Sequence, residues 1–367
     1  MCSIPVKEIG LDPTICPTGF FHRRACMKFG IANAIRNHPD RPYKLADVYR
    51  DYISDAILAE ELGYDFSWYG EHRMTPCQWT PSPLSVCAWV AAKTSRLRVG
   101  PQVLCLPFHN PLRVAEDVAV IDLMSNGRFD FGVGVGSQFE EFRTFRLDPK
   151  ERNGRSWEAI DLIRRCFTEN GTFSHKGKYF DLPEITFTTK PVQEQMPIWW
   201  GGMGPQNLAK AAERGFHLMA GGSKEASDAF DGALRTVGRD PAQHYVGPMT
   251  FTCIADTEEQ AWEASLEGIH YFINFYMLRR NLEGKLPGPE AEITRETLKA
   301  NNLKITGHFA LAVGTPDQVA RHFEKMKAGD AGRITHLVCS PRHAGMSTEA
   351  AHRTLRYFAK YVMPIFR

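Results

Sequence analysis

A carboxylate and an imidazole stand side by side at Glu71 and His72, near the end of the run DFSWYGEHR over residues 65–73. Apolar and aromatic residues continue to Tyr69, Gly70 frees the backbone, and the titratable pair projects where the strand stops. In a parallel barrel of strands and helices, that C-terminal edge is where active sites are built. An imidazole accepts or gives a proton near neutral pH, which suits His72 to catalysis. The competing role is a structural histidine, hydrogen-bonded at a strand end. Glu71 could orient the imidazole or satisfy backbone donors in the loop, and Arg73 offers it an ion-pair partner.

A second constellation is WGGMGPQN, residues 200–207. It reads as a strand-to-helix turn whose glycines let the backbone close around an anion, with the helix N-terminus adding partial positive charge. Met203 and Gly204 would donate backbone N–H groups, and the Asn207 side chain could add another. An ordinary turn in which Pro205 starts the helix fits the same residues. His109, in the loop Phe108, His109, Asn110, could face a site or cap the turn that follows. Arg342 and His343 follow the last strand-like run and could bind a polar substrate, whereas His322 and His352 lie within helical stretches and read as structural.

The elements that must position these groups alternate between strand and helix, the signature of parallel βα units. Strand-like runs fall at residues 27–33, 66–70, 97–106, 129–135, 198–200, 216–220, 246–255 and 334–340. A helix is expected over 46–62, another after Pro111, a third over 155–167 and a closing one over 348–361. Eight strands predict an α/β fold, a (β/α)8 TIM barrel. Two stretches break the rhythm: a polar alternating segment at 172–189, expected to be an inserted hairpin, and a long insertion at 257–309 before the last strand, whose part from 282 to 308 is the lid candidate. Residues 1–26 are expected to be an N-terminal appendage, and 27–367 a single domain.

With 43% apolar residues and a formal charge of +2, the chain can build a large core, and it carries no basic run suited to a polyphosphate groove. Nucleic acid is therefore not an expected partner. The 9 cysteines are scattered without zinc-like spacing, so no metal is expected. No apolar run approaches the ~20 residues a membrane crossing needs, and a cytoplasmic location is expected.

Four stretches, WYGEHR, the segment LRVGPQVLCLPFHNPLRVAEDVAVIDLMSNGRFDFGVGVGS over 97–137, PIWWGGMGPQNLAKAAERG from Pro197 and AVGTPDQV from Ala312, carry a family likeness, and the YVMPIFR ending adds to it. In this order they resemble the bacterial luciferase-like flavin-dependent monooxygenases, in the branch of the luciferase α-subunit. The resemblance implies a barrel that uses reduced FMN as co-substrate, supplied by a separate flavin reductase. With O2 it would form a flavin hydroperoxide and pass one oxygen atom to a small organic substrate. His72 matches the family's proton-handling histidine. Gln102 and Val103 match the backbone, often across a cis peptide, that lies against the flavin ring, although Val103 could instead simply pack the barrel. Ser137 could give a backbone N–H. Hydroxyl residues expected at Gly204 and Asn207 and an arginine expected at Val135 are absent, so the phosphate charge falls to Arg152 or Arg155. Gly134 stands where luciferase has a cysteine, which implies more room over the ring. A deazaflavin-dependent dehydrogenase and a non-catalytic flavin-binding partner subunit are the alternatives on this fold. Helix faces at 84–90 and 114–123 suggest a homodimer.

Overall fold

In the computed structural model the described residues are 27–40, 42–202, 204–219, 224–279, 292–304 and 310–366. The strands, in chain order, are β1 (Lys28–Asn33), β2 (Phe66–Tyr69), β3 (Arg98–Pro101), β4 (Leu104–Cys105), β5 (Phe131–Gly134), β6 (Thr172–Lys176), β7 (Asp181–Thr186), β8 (Ile198–Trp200), β9 (His217–Leu218), β10 (Met249–Ile254), β11 (Ala310–Gly314) and β12 (His336–Ser340). One parallel sheet runs β11-β10-β12-β1-β2-β3 and a second runs β4-β5-β8-β9. Single parallel bridges, Val99 to Phe129 and Leu218 to Val246, join the two. The pairing thus passes round the whole wall of a TIM barrel, with β11 attached to β10 as an extra strand.

The inside of the wall explains why these residues close up. Ala32, Phe66, Trp68, Trp199, Met219 and Val338 form a buried cluster within it, and the Trp68 ring lies 4.2 Å from Phe66 and 4.8 Å from Trp199. Each large ring removes ~200 Å² from water, worth roughly 5 kcal/mol at ~25 cal/mol per Å². Phe66 finds its space over Gly30, its partner in register, where a Cβ would stand only 2.1 Å from the ring. The larger core lies between the strands and the surrounding helices, and Tyr52, Phe129, Ile160 and Phe230 belong to it.

Several expectations meet the structure closely. The first helix spans Leu45–Glu61, and the inserted hairpin is β6 paired antiparallel with β7. Others are corrected. The run 97–106 is two short strands, Arg98–Pro101 and Leu104–Cys105, with a cis peptide between Gln102 and Val103 in the gap. The stretch 257–309 opens with a helix, Glu258–Arg279, whose aromatic residues repeat at helical spacing, and it contains a short helix Arg295–Ala300. Of the lid candidate, residues 282–291 and 305–308 lie outside the described ones, as does the appendage 1–26. No helix among the described residues is long and apolar enough to cross a membrane.

Candidate active site

A cavity of about 510 Å³ opens at the C-terminal ends of the strands. It brings together Glu71 and His72 after β2, Gln102 and Val103 between β3 and β4, Ser137 after β5, and Gly204 and Asn207 after β8. Arg152, the first residue of the helix Arg152–Thr168, also reaches it. Arg155 does not line it: its guanidinium lies 4.9 Å from the Phe180 ring, on the side of the hairpin. Met203 lies outside the described residues.

His72 is buried at 6% exposure, with Nδ1 3.3 Å from Oε1 of Glu141. The same oxygen accepts the backbone N–H of Arg73 at 2.9 Å. With Nδ1–H donated to that carboxylate, Nε2 is the ring nitrogen left for proton exchange. The imidazole stands edge-on to Trp79 at 4.6 Å and 5.4 Å from Tyr276. Glu141 escaped the sequence reading because it sits 69 positions away on a short helix, Phe139–Phe145, within a charged stretch that looks like surface.

Glu71 plays a different part. Its Oε1 receives Arg73 and His109 Nε2, the latter at 2.7 Å, and its Oε2 receives the Cys105 N–H at 2.5 Å. Burial alone pushes this carboxyl up, but the His109 hydrogen bond and charge, with Arg73 and the Cys105 N–H, outweigh it and hold the group below the usual carboxylate range. Glu71 therefore ties the loop after β2 to β4. His109 is the partner of Glu71, and the cap of the next helix is Asn110, whose side chain accepts from Leu112 and Arg113.

At the far end of the cavity, Gly204 is the N-cap of the helix Pro205–Glu213. The Asn207 amide is engaged within the protein, accepting from Trp157 Nε1 at 3.3 Å and donating to Asn153 at 3.1 Å. One of its two N–H donors is thus engaged, and the residue still lines the cavity. Trp200 Nε1 and Arg152 Nε are buried without a hydrogen-bond partner among the described residues. A Cβ on Gly202 would sit 2.8 Å from that indole nitrogen, so only a glycine backbone fits against it. Gly134 leaves no extra room, because the Val103 side chain occupies the space: a Cβ there would stand 2.4 Å from Cγ2.

Arg342 and His343 are not substrate ligands on this geometry. Arg342 is fixed by two bonds to Asp55, at 2.5 and 2.7 Å, and neither residue lines the cavity. His343 is buried with Nε2 3.3 Å from the Thr252 carbonyl, and burial pushes its imidazole down to about 3.

The profile of luciferase-like monooxygenases matches residues 27–331. The chain belongs to that family. Among its relatives, 4-hydroxyprotoasukamycin monooxygenase of Streptomyces nodosus subsp. asukaensis is 31% identical over 334 residues, 85% of this chain and 86% of the relative. The fold is similar to the oxygenating constituent of 3,6-diketocamphane monooxygenase from Pseudomonas putida in complex with FMN, with a TM-score of 0.75, 20% identity and coverage of 92% and 98% of the two chains. It is also similar to an F420-dependent secondary alcohol dehydrogenase in complex with an F420-acetone adduct, with a TM-score of 0.73, 19% identity and coverage of 93% and 99%. This member of the family is a flavin-dependent oxidoreductase on a TIM barrel.

Proposed function

We propose that the protein is a reduced-FMN-dependent monooxygenase of the cytoplasm, supplied by a separate flavin reductase, that adds one oxygen atom of O2 to a small organic substrate. The observation that carries this reading is the meeting, in one cavity, of a buried imidazole and of Arg152, whose Nε has no hydrogen-bond partner among the described residues, with a glycine turn beside it. A flavin mononucleotide needs both: a planar bed with a proton-handling group, and donors for its phosphate. The residues present fit it. Backbone groups of Gln102 and Val103 would bear the ring, while Arg152 and the N–H groups of Ser137 and Gly204 would hold the phosphate. Met203 is proposed with them on its place in the turn.

Bound reduced FMN supplies the activation of O2, which side chains alone cannot perform. The chain's own residues do the rest. Glu141 orients the His72 ring through Nδ1, so that Nε2 exchanges the proton with the bound reactants. Trp79, Phe272 and Tyr276 wall the cavity and keep water from the reacting atoms. Glu71 holds the loop that carries His72. A homodimer is proposed through the helices Pro83–Lys93 and Pro111–Ser125, where Trp89, Val120, Leu123 and Met124 are exposed large apolar groups.

The test mixes anaerobic protein and reduced FMN with O2 and follows the return of oxidised-flavin absorbance. A slow return, hastened by a substrate that gains one oxygen atom, is the expected result. The second reading, a deazaflavin-dependent dehydrogenase, is favoured by the likeness to the F420-dependent alcohol dehydrogenase. Turnover with oxidised F420 and indifference to O2 would establish it instead.

A further inference from the structure

One wall of the cavity is an aromatic box. Trp79, Phe251, Phe272 and Tyr276 line it, with Phe251 to Phe272 at 4.9 Å, Phe272 to Tyr276 at 5.2 Å and Trp79 to Phe272 at 5.6 Å. The imidazole of His72 completes it against Trp79 and Tyr276.

A cation stands behind this box. Arg36 is 2% exposed, with its Cζ 4.2 Å from the Phe272 centroid and 5.2 Å from that of Trp79. It does not line the cavity itself; the two rings stand between. Nε and Nη1 of Arg36 have no hydrogen-bond partner, and no carboxylate pairs with the guanidinium, among the described residues. The nearby cation Arg342 is neutralised by Asp55, so among the described residues Arg36 is the charge left uncompensated there. Glu71, the one carboxylate among the described cavity residues, is committed to Arg73 and His109. An unpaired buried cation is costly, and its field extends far in so apolar a setting. It also draws π density toward one face of Phe272 and Trp79, which leaves the cavity side attractive to an electron-rich partner.

We propose that the substrate is a compact planar aromatic ring carrying negative charge, a phenolate or an aromatic carboxylate. The inference rests on taking this cavity as the combined flavin and substrate site. The ring stacks in the box, and its charge faces the field of Arg36. Arg36 is thus a specificity-determining residue that acts through Phe272 and Trp79, and a long aliphatic substrate finds neither stacking nor charge complementarity here.

The experiment is equilibrium calorimetry on the protein loaded with oxidised FMN, without reductant, so that nothing turns over. The probes are 4-nitrophenolate with nitrobenzene, benzoate with benzamide and cyclohexanecarboxylate, and decanal. Each aromatic anion is expected to bind about tenfold tighter than its uncharged or alicyclic counterpart. Preference in only one of the two series assigns the charged group. Arg36→Met should erase the preference for charge and keep the preference for aromatic rings; Phe272→Leu should weaken both, because that ring both stacks on the substrate and carries the effect of Arg36. Equal binding of charged and uncharged aromatics by the wild-type protein, or tighter binding of decanal than of both anions, would overturn the proposal whatever the variants do. Failure to bind oxidised FMN counts against the cofactor assignment alone, and the same probes titrated without flavin then decide the substrate class.

Discussion

Gly134→Ala puts the geometry of the flavin bed under direct strain. An added Cβ would stand 2.4 Å from Cγ2 of Val103 and 3.4 Å from its Cβ, where carbon atoms settle at about 3.5–4.0 Å. More than 1 Å of overlap cannot be absorbed by a small adjustment, because a β-branched side chain has little rotamer freedom. On its other side Val103 already packs over the backbone of Gly201, where an added Cβ would likewise stand 2.4 Å from Cγ1. The side chain must move into the cavity, on the surface proposed to carry the flavin ring. Overpacking of this kind costs about 1–3 kcal/mol in stability, and intrusion should weaken FMN binding at least tenfold, about 1.4 kcal/mol. Urea unfolding and titration of FMN fluorescence measure the two effects. Adding Val103→Ala should restore at least half of both losses, a coupling of about 1 kcal/mol or more between contacting residues. Strict additivity of the two substitutions would refute the account.

Three further outcomes follow from charges and protons. Glu71→Ala leaves Arg73, His109 and the Cys105 N–H without their shared acceptor, so urea unfolding should show a loss of about 3–5 kcal/mol, and a loss under 1 kcal/mol would mean the bridge is not structural. Burial and neighbouring cations push the imidazoles of His217, His336 and His343 down to about 3. The unfolded chain therefore binds more protons between that value and ~6.5, and stability is complete above ~6.5 and falls as the pH drops below it. For fully buried His343 the loss from pH 6.5 to 5 is about 2 kcal/mol; unfolding free energies that stay flat over this window would contradict it. Arg152→Met should weaken FMN binding by about tenfold or more while Arg155→Met leaves it within twofold, measured by the same titration, since only Arg152 reaches the cavity.

The alternation of apolar runs with helical segments was sufficient to predict the barrel, because strand and helix periods are local properties of the chain. Local too was the chemistry at a strand end: the Gly70 break places Glu71 and His72 at the rim whatever packs around them. The long-range partners were settled by the closed wall alone. Glu141 reaches His72 from a helix of charged appearance, and two rings of the aromatic wall, Phe272 and Tyr276, come from a helix in a stretch whose Gly- and Pro-rich middle suggested a lid. Gly134 ends β5 and Val103 lies between β3 and β4, far apart in the chain, and no local pattern says that one fills the space of the other. The same holds for Arg155, turned away on its helix, and for Arg342, taken by Asp55. Which groups share a cavity depends on strand order, register and side-chain direction, and these emerge only when distant segments pack against one another.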